Sequence, residues 1–178
     1  MSDPTIVTLT LDSLREILQQ SGYRVETVAG EGDQVSFLRS STAGLAFDIR
    51  PGSLSAAGGN EFTDVTFLAG LQVQGELPLD MVNRWNANRR FARLHLTSGF
   101  LILSMDVSIF GGVTPGFVRT QIEIWDRLVQ ELVPYLRQEL QTLSAAGNAD
   151  GAEASEEIRF SAAPSKRGDG VAASVDAA

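Results

Sequence analysis

The sequence predicts an α+β fold in which helices pack on one face of an antiparallel sheet, and three observations support this. Apolar residues recur at helical spacing in three separate segments, around Leu14, Met81 and Ile122. Between them the period falls to two, with Leu45, Phe47 and Ile49 set against Ala46, Asp48 and Arg50, as in an antiparallel strand with one covered face. Glycine-bearing turns punctuate these runs, and their freedom at positive φ suits hairpins.

Thr10 is a candidate N-cap for a first helix whose apolar positions are Leu11, Leu14, Ile17 and Leu18, and Gly22 supplies its stop. Tyr23–Ala29 and Gln34–Ser40 follow as a hairpin across Gly30-Glu31-Gly32-Asp33. Leu45–Arg50 ends at a Pro51-Gly52 turn. Phe62–Val73 then keeps Val65, Phe67, Ala69, Leu71 and Val73 on one parity, which predicts a long strand.

Pro78 suits a first helical turn, and Leu79, Met81, Val82 and Trp85 carry a second helix to about Asn88. Asn tolerates the left-handed conformation that commonly ends a helix, and Arg89 and Arg90 are expected beside the last carbonyls. Ala92, Leu94 and Leu96 then face inward against Arg93, His95 and Thr97. Ser98-Gly99 turns the chain into Phe100–Val107, apolar on both parities at its start and therefore expected to be central. The last helix has the clearest start, with Thr114 as N-cap, Pro115 at the first helical position and Val113 placed to staple against Val118. Its stripe is Val118, Ile122, Trp125, Val129, Leu132 and Leu136. Pro134 predicts a kink or a break.

A chain of 178 residues with 43% apolar content can bury one sizeable core. From Ser144 onward Ala, Gly, Ser, Asp and Glu dominate, a composition that buries too little to offset chain entropy. Residues 1–144 therefore read as the domain and 145–178 as a disordered low-complexity tail, with room for a short linear motif around Glu156–Phe160. The formal charge of −8 disfavours nucleic-acid phosphates and anionic lipid surfaces as partners. Thirteen arginines and one lysine, Lys166, carry the basic charge, and there is no cysteine for a disulfide, thiolate ligand or nucleophile. Ile6, Val7, Leu9 and Leu11 are broken by threonines and do not make a signal peptide. No run approaches the roughly 18 apolar residues of a membrane helix. A cytoplasmic protein without membrane contact is the expectation.

No catalytic constellation is legible. His95, the one histidine, lies on the polar parity of a strand, and no serine is set to pair with it. Metal binding would depend on His95 and carboxylates alone, so no metal and no cofactor is expected. Glu61, Asp64, Glu76 and Asp80 are scattered, and Asp106 fits a strand-end hydrogen bond better than acid–base work. Gly111-Gly112 before a helix N-terminus invites an anion, yet no Walker lysine accompanies it, and entry to the capped helix explains both glycines. Around the second helix, Asn83, Trp85, Asn86, Arg90 and Arg93 gather amides and guanidinium groups beside an aromatic. This chemistry suits a peptide backbone or a carboxylate, although Trp85 also reads as core.

Arg84-Trp85-Asn86, Arg90-Phe91-Ala92-Arg93, Gly99, Asp106, Gly111-Gly112-Val113 and Trp125 together resemble the YbjN family over about Leu9–Leu143. Its members are described as bacterial sensory transduction regulators. The resemblance implies the order α-β-β-β-α-β-β-α, similar to type III secretion chaperones, with one early candidate strand in excess. It also implies a small acidic homodimer that binds protein segments without chemistry, and it brings no catalytic residue. The leading expectation is thus a non-enzymatic protein-binding regulator or chaperone-like adaptor acting through Asn83, Trp85, Asn86, Arg90 and Arg93. The alternative is a small-molecule or anion sensor using Arg89, Gly111 and Gly112.

Overall fold

The computed structural model describes residues 5–30, 35–56, 58–149 and 158–162. Among them the elements are α1 (Leu11–Gln20), β1 (Glu26–Val28), β2 (Phe37–Thr42), β3 (Leu45–Pro51), β4 (Asp64–Gln74), α2 (Leu79–Asn88), β5 (Arg93–Thr97), β6 (Phe100–Ser108), α3 (Pro115–Ala149) and β7 (Arg159–Ala162). The strands form an antiparallel sheet in the order β1-β2-β3-β4-β6-β5, with β7 also on β4. This is the predicted α+β class and order, with β1 as the early extra strand and β7 as an addition.

Local chemistry explains most element ends. The Ser13 amide donates to Thr10 Oγ1 at 3.1 Å and the Thr10 amide donates to Ser13 Oγ at 2.9 Å, a reciprocal cap on α1. At α3 the Phe117 amide donates to Thr114 Oγ1 at 3.2 Å, as the Thr114-Pro115 pair predicts. The helix α2 ends at Asn88, as expected, but without a left-handed residue at the cap. Arg89 is extended (φ −123°, ψ 142°), and the left-handed residue is Phe91 (φ 74°). The reason is that Asn88 Nδ2 donates to the Arg84 carbonyl at 2.8 Å, a side chain doing the work of a left-handed cap.

Pro134 does not interrupt α3, which runs through it. Its side chain is exposed, while Val129, Leu132 and Leu136 on either side are buried, so packing of the apolar stripe holds the helix across the lost hydrogen bond. The boundary expected near Ser144 falls inside α3. Residues 159–162, assigned by composition to a disordered tail, form a strand instead, because the edge of β4 offers a ladder and Phe160 packs against the core. Residues 150–157 and 163–178 of the expected tail, and 31–33 of the first hairpin loop, lie outside the described residues.

One parity of each long strand faces the helices. Phe47, Phe67 and Trp125 meet at the centre, with Trp125 ring centroids 5.7 and 5.5 Å from the two phenylalanines. Leu14 and Leu18 of α1, Met81, Val82 and Trp85 of α2, and Val118, Ile122 and Leu132 of α3 complete this layer. All three helices therefore cover the same face of the sheet. The N-terminal segment straps the approaches to β4 and α3, Leu9 bridging Phe62 and Ile6 bridging Val113.

Candidate functional site

The α2–β5 corner sorts the residues singled out by sequence into two groups. Trp85 is 1% exposed, with its ring 5.2 Å from Tyr135 and Arg89 stacked on it at 5.3 Å, and so belongs to the core. Asn86 has a fixed structural task. Its Oδ1 accepts from the Leu94 amide at 2.8 Å and its Nδ2 donates to the Leu94 carbonyl at 2.9 Å, so one side chain occupies the outward-facing backbone pair of an edge strand. Asn83, Arg90 and Arg93 stand exposed. Arg90 lies over the ring of Phe91 at 5.4 Å, and Phe91 is itself 58% exposed in its left-handed conformation, unusual for a bulky residue. Arg93 sits on β5 opposite Ser104, Arg90 lies in the turn before it, and Trp85 and Asn86 have structural tasks.

Arg89 and the Gly111-Gly112 turn are not brought together. Arg89 Nε is 2.6 Å from Glu131 Oε2, an ionic contact out of line for a hydrogen bond. Glu131 lies 16 residues along α3 from Pro115, about 24 Å at 1.5 Å per residue. Gly112, at φ 89°, lets the N-terminal strap pass, since a Cβ there would meet Thr5 Cγ2 at 2.7 Å. A structural reason thus accounts for the second glycine.

His95 is exposed on β5, and Asp106 accepts from Thr66 Oγ1 at 2.7 Å with Arg93 at 3.6 Å, a cross-strand polar contact. Among the described residues no group of three or more His, Asp or Glu is placed to hold a metal ion. Among the described residues no helix is long and apolar enough to cross a membrane.

Two polar groupings escape local sequence patterns. Thr42 Oγ1 donates to Asp126, which also accepts from Gln130 Nε2 at 2.7 Å. Burial, then the charge and hydrogen-bonding of Asp126, push the nearby Tyr23 hydroxyl well above the ordinary tyrosine range. Between α2 and α3, Arg84 pairs with Glu139 while Tyr135 donates to the Met81 carbonyl at 2.5 Å. Both groupings tie helices to the rest of the domain.

On the face of the sheet away from the helices the described strand residues are half-buried or exposed, apart from Phe37 at 8% exposure. Register places Arg39, Asp48, Leu68, Ser104 and Arg93 in one row across five strands. Arg50, Thr66 and Asp106 form the next row, and Gly70, Ile102 and His95 another. Leu68, Phe100 and Ile102 are only half-buried there, and Gly70, lacking a side chain, lowers the surface between them. At one end Arg39 donates from Nε and Nη2 to Asp48 at 2.7 and 3.0 Å, and Arg50 lies 4.3 Å over Phe37. The bidentate bond to Asp48 raises the pKa of Arg39 against a smaller opposing effect of burial. The outcome is an apolar centre with a fixed, mixed-charge rim, to which Arg93 contributes.

Comparison with known proteins agrees with the fold. The model of the YbjN family, described as "Putative bacterial sensory transduction regulator", matches residues 10–138. A solved structure described as "Crystal structure of YbjN, a putative transcription regulator from E. coli" is similar with a TM-score of 0.51 and 20% identity, over 75% of this chain and 97% of that one. Among curated proteins none matches. The match extends from the α1 cap past Trp85-Asn86, Arg90-Phe91 and Gly111-Gly112-Val113 to the last buried turn of α3, and on that span the chain belongs to the YbjN family.

Proposed function

We propose that this chain is a non-enzymatic regulator, chaperone-like in its manner of working, that binds a protein partner through the uncovered face of its sheet. That face is the observation that carries the reading. Soluble domains normally cover or charge a sheet surface holding Leu68, Phe100 and Ile102, and a half-buried apolar centre with a polar rim matches the anatomy of protein interfaces. Arg39 and Asp48 are locked to each other, so the rim is organised before a partner arrives, which lowers the entropy lost on binding. The regulatory role is that of the family description, and protein binding is the step beyond it. The charge of −8 disfavours nucleic acid as the occupant. The same reading takes the chain as a cytoplasmic homodimer, in keeping with its lack of cysteine and its resemblance to secretion chaperones.

The test is comparative capture from native lysate of the source cells. Wild type is set against Ile102→Arg at the centre of the face, Arg93→Glu at its rim, and Arg127→Glu on the helical side as control. The partner is expected with wild type and Arg127→Glu, lost with Ile102→Arg and reduced with Arg93→Glu. Identical captures by wild type and a folded Ile102→Arg would refute the reading. Sedimentation of the purified chain decides the dimer separately.

A further inference from the structure

We propose that the edge of β4 at Leu71–Gln74 is a strand-addition site for an extended protein segment, and that the chain's own β7 occupies it in cis. β4 is 11 residues long and β6 lines one of its edges from Asp64 to Gln72. Leu71 and Gln72 pair with both β6 and β7, so β7 lies on the other edge, the one β3 shares. There β3 pairs only with Val65–Leu68. Without β7 the remaining backbone would be bare, the arrangement that accepts an added strand.

Three features mark β7 as an occupant and not a founding strand of the domain. The family match ends at residue 138, so the strand lies beyond the family domain. It is four residues long and anchored by Phe160, opposite Val73 and half-buried against the core. Exposure alternates from Ile158 to Ser161, half-buried then exposed, as for any peptide laid along a sheet edge. The matching partner is an extended segment with an aromatic or large aliphatic residue at the Phe160 position and polar residues on either side. The site is an edge, distinct from the uncovered face, and does not depend on the function proposed for that face.

The ladder also fixes what to measure. The Val73 amide donates to the Gly99 carbonyl at 2.8 Å on the β6 side. Backbone direction alternates along a strand, so Gln72 and Gln74 present their amides to Ser161 and Arg159. The experiment uses the full chain in three forms: wild type, Phe160→Asp, which removes the anchor, and Ser161→Pro, which removes a ladder donor and keeps the anchor. The probe is a labelled peptide of residues 156–164, with its Phe160→Asp version as control. Tethering gives β7 an effective concentration on the order of millimolar, so wild type resists the peptide. Both variants are expected to bind it at least about tenfold more tightly than wild type, and the control peptide to bind neither. Hydrogen exchange at Gln72 and Gln74 is expected to quicken in both variants and slow again with peptide. Folded variants, judged by fluorescence of the buried Trp125, that bind no better than wild type would overturn the proposal, as would unchanged exchange at the two glutamines. A wild-type dimer broken by the peptide would overturn the cis assignment in favour of strand exchange between copies.

Discussion

Asn86→Ala isolates the most specific device in the α2–β5 corner. The Asn86 amide closes two hydrogen bonds on Leu94, at 2.8 and 2.9 Å, in a partly buried setting. A net contribution of about 0.5–1.5 kcal/mol each gives an expected loss of about 1–3 kcal/mol. Water can reach the freed edge, so the loss should stay below the full penalty of a buried unpaired group, near about 2 kcal/mol. In a chain of this size that lowers Tm by about 4–8 °C. Urea unfolding followed by tryptophan fluorescence measures it, and exchange at the Leu94 amide should quicken in parallel. Asn86→Asp should recover little. Its carboxylate can accept from the Leu94 amide but sets a second oxygen against the Leu94 carbonyl. A loss under about 0.5 kcal/mol for the alanine variant, or full rescue by aspartate, would refute the assigned role.

Other consequences follow from particular contacts. Gly111→Ala meets only its positive φ (87°), whereas Gly112→Ala also drives a Cβ to 2.7 Å from Thr5, so the second should cost more by about 1 kcal/mol or above in chemical unfolding. Pro134→Ala, at an exposed position inside a continuous helix, should raise stability by about 1–3 kcal/mol through the restored amide; a loss would mean the helix needs the proline's geometry. Tyr23 holds its proton more tightly folded than unfolded. Its contribution is therefore complete below the ordinary tyrosine pKa of 10.0 and declines as pH rises above it, and Tyr23→Phe should flatten alkaline unfolding profiles measured by circular dichroism.

What the sequence makes legible here is what local chemistry and burial decide together. Thr10 and Thr114 cap their helices because a side-chain oxygen and nearby free amides suffice, and Leu45–Arg50 reads as a strand because one face is covered and the other is not. The structural roles of the candidate site are less legible. Asn86 acts on Leu94 across a helix end and a turn, so its amide looks like those of Asn83 and Asn88 until the fold closes. The Thr42–Asp126 bond joins residues 84 apart and leaves no local trace. β7 is missed for a different reason. Composition averages over a polar segment, while four residues with one aromatic are enough when an unfilled edge supplies the partner.

The strand β6 makes a subtler case, and it bears on function. Apolar residues on both parities of Phe100–Leu103 predict a strand between two others, and β6 does lie between β4 and β5. The usual reason for that pattern is cover on both faces. Here the helices cover only the parity of Leu101 and Leu103, which are buried, while Phe100 and Ile102 look out from the bare side. Among the described residues no helix accounts for the second parity. Ile102, in register with Gly70 and His95 and bordered by paired charges, is the apolar centre on which the proposed partner contact rests. The same residues carry the central-strand reading and the proposed binding face, and only the count of layers separates the two readings.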